Sequence, residues 1–191
     1  APAALKVSSI FGDNMVLQRD MDVRIWGWAD PDQTVSVKID GQEVSARAGA
    51  NGRWETKLAP LKANADGLKM TITAGDESLT CSDILVGEVW VCSGQSNMKQ
   101  SVGQSHNAAL EILAARYPKI RIISVPQVGT QELQDDFIGE WAAIAPETAP
   151  DFSAVGYYFG RQLHQILDVP IGLIDTAWGG SAAEAWVRRD V

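Results

Sequence analysis

The sequence predicts an α/β fold in which a parallel sheet, incomplete in this chain, follows a small all-β antiparallel sandwich domain. Two patterns carry this prediction. Up to residue 82, short segments of alternating apolar and polar residues recur about every ten residues with no helical period, which is typical of an antiparallel sandwich. From residue 83 onward, strand and helix patterns alternate, which indicates parallel strands joined by helices. We therefore expect one domain over residues 1–82 and the first part of a second over residues 83–191.

Turn signals separate the strands of the first part, which are predicted at residues 23–28, 35–39, 42–46, 53–58, 68–73 and 79–81. Asp40-Gly41 and Asn51-Gly52 are strong hairpin signals, because such pairs accept the positive φ angles of tight turns. Trp26 and Trp28 are two residues apart in a strand and therefore share a face. We assign both to the core. If they were exposed, this part would instead be a glycan-binding or interaction module, which is the main alternative to an enzyme.

The second part is predicted to contain strands at residues 84–92, 120–125 and 170–176, helices at 107–116 and 153–167, and a long acidic loop at 126–150. The strands are mostly apolar, as expected for a parallel sheet in a three-layer arrangement with helices on both faces. Helical spacing predicts which residues face the core. They are Ala109, Leu110, Ile112 and Leu113 on the first helix, and Val155, Phe159, Leu163 and Ile166 on the second, which Ser153 caps.

Composition and charge argue against several classes of protein. The net charge of −8 leaves no basic surplus to neutralise phosphates, so nucleic acid and anionic membranes are not expected as partners. No apolar run approaches the ~20 residues of a membrane helix. Cys81 and Cys92 could pair in an oxidising compartment, but we favour two buried thiols, and no cysteine or histidine cluster indicates a metal or other cofactor. The start Ala1-Pro2-Ala3-Ala4 fits the end left by a small-residue cleavage site, so we expect a secreted or periplasmic protein.

Two segments with catalytic potential follow strands of the predicted parallel sheet. One contains Ser96, just after the strand that ends at Cys92, and the other is Trp178-Gly179-Gly180-Ser181. Ligands of open α/β sheets bind at the carboxyl ends of the strands. A serine on a tight strand-to-helix turn presents its hydroxyl there, and N–H groups of a helix start and of a glycine pair can stabilise an oxyanion. Each segment alone is as well explained as a cap or a loop, but their positions at neighbouring strand ends favour a site.

Residues 87–98, Gly-Glu-Val-Trp-Val-Cys-Ser-Gly-Gln-Ser-Asn-Met, resemble the nucleophile block of the sialate O-acetylesterase-like carbohydrate acetylesterases, a group of the SGNH hydrolase superfamily. Further segments similar to that family follow the same order, at residues 11–19, 26–29, 153–160 and 172–181. The resemblance implies that this chain is an N-terminal portion whose second part has an SGNH-hydrolase-like fold. It also implies a serine esterase that removes O-acetyl groups from a glycan or from sialic acid without a metal.

The resemblance assigns roles to individual residues. Ser96 matches the nucleophile, and its backbone N–H also serves the oxyanion hole. Gly180 best matches the glycine that supplies a second N–H, with Gly179 as the alternative. The residues that it suggests as possible substrate contacts are Gln95, Asn97, Glu184 and Trp186.

The substrate remains open at this level. Trp90, Trp178 and Trp186 lie near strand ends where a sugar face can stack, although core packing is the better interpretation of Trp90. The acidic balance leans toward neutral glycans, because sialic acid carries its own negative charge. An SGNH esterase or lipase acting on longer acyl chains is a third possibility, which a wide apolar cleft at Ser96 would favour.

The family's Gly-Glu-x-Asn block, which carries an oxyanion asparagine, and its Asp-x-x-His pair do not occur in this sequence. We expect both on a C-terminal remainder of the same protein, either a downstream segment or a second chain, and we expect this chain alone to be almost inactive. Neither histidine is expected to replace the missing base. His106 is predicted in a loop beside the start of a helix, and His164 on the helix face opposite Val155.

Overall fold

The computed structural model describes residues 4–187. Its strands are β1 (Lys6–Val7), β2 (Val16–Gln18), β3 (Val23–Trp28), β4 (Thr34–Ile39), β5 (Gln42–Arg47), β6 (Arg53–Leu58), β7 (Asn64–Ala74), β8 (Glu77–Cys92), β9 (Tyr117–Ser124), β10 (Ala142–Ile144) and β11 (Ile171–Asp175). Its helices are α1 (Ser96–Lys99), α2 (Ala108–Ala114) and α3 (Ala154–Leu167), with short 3₁₀ segments at Val102–Gln104 and Ala183–Trp186. The predicted mixture of α and β structure is confirmed, with strands far outnumbering helices. Residues 1–3, which belong to the export prediction, lie outside the described residues.

The strands form two sheets. One has three strands in the order β1-β3-β6, and the other has eight, in the order β10-β9-β11-β8-β7-β4-β5 with β2 beside β8. None of the helices between residues 4 and 187 is long and apolar enough to cross a membrane.

A single strand, β8, runs through both predicted parts of the chain. Its first half pairs antiparallel with β7, and its second half pairs parallel with β11, where Asp175 lies opposite Cys92. The predicted boundary between residues 82 and 83 falls inside this strand. One hydrophobic core also includes residues from both sides of that boundary, such as Met70 and Trp141. The division into two domains therefore stays a prediction, and the two parts share a sheet and a core.

The hairpin predicted at Asp40-Gly41 is confirmed. β4 and β5 pair antiparallel on either side of it, and both turn residues have positive φ angles, of 46° and 74°, as a type I′ turn requires. This turn fixes the register of the hairpin. The alternate side chains that it directs into the core from β4 are Val35, Val37 and Ile39.

Strand β3 directs Ile25 into the core and its two tryptophans to the opposite face. Ile25 is fully buried, whereas Trp26 and Trp28 are half-buried. Trp26 packs edge-on against buried Phe11, with ring centroids 4.7 Å apart, and the Lys6 ammonium lies 5.1 Å from the ring centroid of Trp28. The core assignment is therefore wrong for Trp28 and holds for Trp26 only through its contact with Phe11.

Strands β9, β11 and the second half of β8 form the parallel centre of the second part. Helix α3 packs on β9 and β11, and α2 joins it through a hydrogen bond from the Tyr157 hydroxyl to Glu111. On the other face, Ile123 and Ile174 enter the core of the first part. The expected second layer of helices is thus not found among residues 4–187. The segment 126–150, predicted as one loop, contains the short strand β10.

The buried face of α3 consists of small residues and Tyr157. A Cβ atom on Gly160 would come within 2.7 Å of Leu173, and one on Gly156 within 2.8 Å of the Cys92 sulfur, so these glycines allow the helix to approach the sheet closely. The face that spacing predicted to be buried is largely exposed, and only Leu163 packs against the core. Its exposed members are Val155, Phe159 and Ile166.

The face of α2 that was predicted to be buried is also largely exposed. Ile112 packs against the core as predicted, whereas the other expected core residues, Ala109, Leu110 and Leu113, are exposed. Apolar spacing identifies a face, but it does not show whether that face is covered within this part of the chain.

Candidate active site

Ser96 lies directly after the carboxyl end of β8, as the sequence predicted. Residues 93–95 make a tight turn, and Ser96 is the first residue of the one-turn helix α1. Gly94 has a φ of 143°, a conformation that glycine accepts because it has no Cβ. The side chain of Ser96 is exposed. The hydroxyl is therefore presented to solvent at the edge of the sheet rather than packed as a structural cap.

The side chain of Gln95 engages both donors of Ser96. Its Oε1 accepts a hydrogen bond of 2.8 Å from the Ser96 hydroxyl and one of 3.1 Å from the Ser96 backbone N–H. Gln95 therefore caps the start of α1 and contacts Ser96 directly, which the sequence did not indicate. An amide oxygen accepts a hydrogen bond but is not a base near neutral pH, so this contact orients the hydroxyl without activating it.

The segment that follows β11 reaches back to the turn before Ser96. The backbone N–H of Thr176 donates to the Cys92 carbonyl at 3.0 Å, and that of Trp178 donates to the Gly94 carbonyl at 2.9 Å. A Cβ atom built on Gly179 would lie 3.9 Å from the Ser96 hydroxyl oxygen. The two segments predicted at neighbouring strand ends are thus in contact.

The two glycines of the second segment differ in their surroundings. Gly179 is the one placed beside Ser96. Gly180 has a φ of 78° and open space where a Cβ would project, so it provides the left-handed turn of the loop. The assignment of the second oxyanion N–H to Gly180, with Gly179 as the alternative, stays a prediction.

A buried carboxylate that sequence reasoning missed connects the two segments. Asp175, at the end of β11, is only 2% exposed. One of its oxygens accepts a hydrogen bond of 2.9 Å from the Ala177 backbone N–H, and the other lies 3.4 Å from the Lys99 ammonium. Asp175 thereby ties the glycine loop to the helix that begins with Ser96. An acidic residue at the end of an otherwise apolar strand was the signal in the sequence.

We expect Asp175→Ala to lower the free energy of unfolding by about 2–3 kcal/mol, because it removes a buried charged acceptor and leaves the Ala177 N–H and the Lys99 ammonium without their partner. Asp175→Asn is the matched variant, since its amide oxygen still accepts from the Ala177 N–H while the charge is lost. It should lower the free energy of unfolding by less than Asp175→Ala does. Urea unfolding followed by tryptophan fluorescence measures both. Equal midpoints for Asp175→Ala and the parent chain would contradict this role.

Both cysteines are free and buried, as interpreted from the sequence. Burial raises the pKa of Cys92 to about 11, and the nearby Asp175 carboxylate adds to the effect. Burial likewise raises the pKa of Cys81 to about 11, with Asp13 contributing. Both are protonated thiols near neutral pH, so Cys92 does not compete with Ser96 as a nucleophile.

Neither histidine is positioned as the base of Ser96. His106 is exposed in the turn before α2. The Nδ1 atom of His164 lies 2.8 Å from the Val169 carbonyl, near the start of β11 and thus at the end of the sheet opposite Ser96. Between residues 4 and 187, Ser96 hydrogen bonds with no histidine, and no three His, Cys, Asp or Glu side chains are grouped to hold a metal ion.

A cleft of about 660 Å³ lies along the loop after β11. Trp178, Glu184 and Trp186 line it, as do residues 125–130. The Trp186 indole donates to the Ser181 hydroxyl at 2.9 Å, and this hydroxyl donates to the Trp178 carbonyl at 2.7 Å. These hydrogen bonds hold two half-exposed tryptophans in one cleft, next to the loop that contacts Ser96. The volume falls in the range of small-molecule sites.

The remaining predicted contacts lie outside this cleft. Asn97 is exposed on α1 beside Ser96. Trp90 does not line the cleft, and its assignment to the core is wrong, since it is 44% exposed. Its ring meets that of Phe159 edge-on, with centroids 5.1 Å apart. Trp90 and Cys92 are two residues apart in β8 and therefore share the face of the sheet on which α3 packs.

No model of a protein family matches the chain, but individual proteins similar to it are acetylesterases. The sialate O-acetylesterase of Homo sapiens is 34% identical over 97% of this chain and 39% of its own length. That of Mus musculus is 34% identical over 99% of this chain and 38% of its own length. The crystal structure of a novel carbohydrate acetylesterase from Xanthomonas citri (XAC1771) matches with a TM-score of 0.94 at 33% identity, over 98% of this chain and 43% of that one. The chain thus spans about two fifths of the length of each relative.

Proposed function

Because this chain is a homologue of the sialate O-acetylesterases over nearly its whole length, we propose that it supplies the nucleophile and part of the oxyanion hole of a serine esterase that removes O-acetyl groups from carbohydrates. The observation that carries the proposal is the position of Ser96, which is exposed after the end of β8 and follows a turn that hydrogen bonds to the glycine loop after β11. The cleft with Trp178 and Trp186 beside that loop gives a sugar two aromatic faces.

In the proposed reaction, the Ser96 oxygen attacks the carbonyl carbon of a sugar acetate while its proton passes to a base. The resulting oxyanion accepts hydrogen bonds from the backbone N–H of Ser96 and from that of Gly180 or Gly179. Collapse of the intermediate releases the sugar hydroxyl, which takes the proton from the base, and water then hydrolyses the acetyl-serine to acetate. The Gln95 side chain must turn away first, because it occupies the Ser96 N–H in this structure.

The base is proposed to lie on the C-terminal remainder of the protein, in an Asp-x-x-His pair, together with an oxyanion asparagine. With that remainder, the second part would complete a three-layer SGNH-hydrolase-like domain. Two observations support this: the chain spans about two fifths of the length of its relatives, and Trp90, Val155 and Phe159 form an exposed apolar surface that further polypeptide would cover. The chain alone is accordingly proposed to be almost inactive, and a secreted or periplasmic location stays a prediction.

Acyl specificity tests the proposal. The full-length protein should hydrolyse p-nitrophenyl acetate faster than the butyrate and octanoate esters, and it should release acetate from an acetylated glycan or from O-acetylated sialic acid. Intact mass and denaturing electrophoresis, run on the same sample, show whether a second polypeptide accompanies the chain. A preference for octanoate would favour a lipase-like esterase instead, and no hydrolysis of any ester by the full-length protein would exclude the esterase.

The two glycines near Ser96 provide a paired prediction for the oxyanion hole. We expect Gly179→Ala to lower kcat/KM about 100-fold with an unchanged unfolding midpoint, because the new methyl group meets no close neighbour but lies 3.9 Å from the Ser96 oxygen, where the acyl group must bind. Gly180→Ala has open space, but its positive φ costs about 1 kcal/mol of stability. Activity and thermal unfolding of both variants, measured on the full-length enzyme, separate the roles. Both variants keep their backbone N–H groups, so a larger loss of activity in Gly180→Ala would show that the left-handed conformation of Gly180, rather than the space beside Gly179, controls the oxyanion hole.

A further inference from the structure

A second cleft, of about 740 Å³, lies between the β part of the chain and the loop after β9. Trp26 and Ile10 contribute one wall, and Val128, Phe137 and Ile138 contribute the other. The residues that line this cleft are distant from Ser96 in the sequence, and they come from both predicted parts of the chain. Its lining is mainly aromatic and aliphatic, with a few polar groups at the rim, which is the usual composition of a small-molecule site.

This second cleft adjoins the cleft along the loop after β11. Val125, Pro126 and Val128 line both of them, so the two clefts share a wall. The Gln127 side chain donates to the Ala177 carbonyl at 3.0 Å and thereby attaches the shared wall to the loop that carries the glycines. The two clefts are therefore neighbours, as a single extended ligand that occupied both would require.

Hydrogen bonds to Asp136 hold one wall of the second cleft, the loop after β9, against the start of the chain. Asp136 accepts hydrogen bonds from the Lys6 ammonium, from the Ser8 hydroxyl at 3.0 Å and from the Ser9 backbone N–H at 2.8 Å. Burial raises the pKa of Asp136, but these hydrogen bonds outweigh it, and its pKa lies below the ordinary value. The carboxylate is therefore charged near neutral pH and holds the loop to β1. The shape of the cleft is thus set by contacts of the protein with itself.

The chemistry of both clefts selects a neutral ligand. Three carboxylates line them, those of Asp135, Asp136 and Glu184, and no Lys or Arg side chain among residues 4–187 lines either one. Asp136 is already paired with the Lys6 ammonium, so an anionic sugar would meet the like charge of Asp135 and Glu184 without a lining cation from the described residues to balance it. A neutral sugar can place an apolar ring face on Trp26 or Phe137 and donate its hydroxyls to Asp135, which is exposed and has no hydrogen-bond or ion-pair partner among residues 4–187.

We propose that the second cleft is a distal subsite for a neutral oligosaccharide whose acetylated residue lies at Ser96. The proposal rests on the proposed esterase function for the position of the acetyl group, but not for binding. It predicts that affinity rises with the number of sugar units, because a single unit occupies only the cleft with Trp178 and Trp186, whereas a longer chain also reaches Trp26.

Binding to a Ser96→Ala variant of this chain tests the subsite without turnover. The probes are xylose and neutral xylo-oligosaccharides of increasing length, and the readout is the indole N–H signals of the tryptophans in a nitrogen-15 NMR spectrum. We expect Trp178 and Trp186 to respond to every probe and Trp26 to respond only to the longer ones, with affinity rising about tenfold along the series. Sialyllactose is the anionic probe and should bind more weakly than a neutral chain of the same length.

Trp26→Phe should abolish most of the gain with length, and Trp28→Phe is the matched control, because Trp28 lies on the same strand and is half-buried but does not line the cleft. Ile138→Ala is a second variant, which removes an exposed side chain from the cleft without touching the core. Affinity independent of length, an unchanged gain in Trp26→Phe, or tighter binding of sialyllactose would overturn the proposal. So would binding of an apolar dye at this cleft with no response to any sugar, since the cleft would then accept apolar ligands but not sugars.

The same titration separates this proposal from the esterase function. If Ser96→Ala leaves the activity of the full-length protein intact while length-dependent binding persists, the assignment of Ser96 is wrong and the subsite stands. If acetate release depends on Ser96 but binding does not depend on length, the esterase stands and the subsite is wrong.

Discussion

Ser96→Ala is expected to reduce the esterase activity of the full-length protein by about five to six powers of ten, as loss of the nucleophile does in serine hydrolases. The structure indicates that the substitution leaves the fold intact. The Ser96 side chain is exposed, and its hydroxyl donates only to Gln95, while the backbone N–H that Gln95 caps is unaffected. The measurements are kcat/KM for p-nitrophenyl acetate and the intact mass of the enzyme during turnover, which should show one acetyl group in the parent and none in the variant.

Ser93→Ala is the matched control, because Ser93 is exposed in the same turn and has no proposed role. It should retain nearly full activity. Retention of activity by Ser96→Ala would mean that another group is the nucleophile. Cys92 is a poor candidate, because burial raises its pKa to about 11 and keeps it protonated. In that case the nucleophile of the proposed esterase would have to lie on the C-terminal remainder.

Gly87→Ala is expected to destabilise the chain by about 3 kcal/mol, at the upper end of the cost of overpacking. Gly87 lies at the middle of β8, where the strand passes from β7 to β11. A Cβ atom there would stand 1.9 Å from the Pro170 carbonyl oxygen and 2.6 Å from its carbon. These are backbone atoms, and the same carbonyl accepts the Glu88 N–H at 3.0 Å. Relief therefore requires β11 to move away from β8.

Gly12→Ala is the control for this prediction, since a Cβ there meets nothing within 4 Å. The two variants are compared by urea unfolding, and by the rate at which a thiol reagent modifies Cys81 and Cys92, which are buried in the folded chain. Gly87→Ala should lower the midpoint and expose the thiols at lower urea. A midpoint equal to that of Gly12→Ala would show that the β8–β11 contact is looser than described.

Local signals in the sequence predicted the parts of the structure that depend on local geometry. The Asp40-Gly41 turn demands positive φ angles at both residues, and the structure has them. The contact between the Ser96 turn and the glycine loop also followed from the sequence, because parallel strands end at the same edge of a sheet. Both predictions needed only the order of the strands and the conformational preferences of a few residues.

Predictions that depend on packing were less successful. The apolar residues of α3 have helical spacing on one face, but glycines on another face bring the helix closer to Leu173 and Cys92, so that other face is buried. Asp175 was missed because its importance comes from Lys99 and Ala177, which are distant or backbone partners. Sequence spacing gives no measure of these contacts, since it reveals neither the distance between elements nor what lies beyond an exposed surface.

The continuity of β8 also limits how the chain can change in length. A strand of 16 residues extends on the order of 50 Å, but its alternation is interrupted at Asp83, which has a φ of 54° and lies where the register with β7 shifts. Loss or gain of one residue after Asp83 would exchange the faces of Trp90 and Val91 relative to β11 and would rotate the turn before Ser96 away from the glycine loop. We therefore expect insertions and deletions to be tolerated at turns such as Asp40-Gly41 and excluded from β8. The orientation of Ser96 is thus set by the second half of β8, through its parallel pairing with β11.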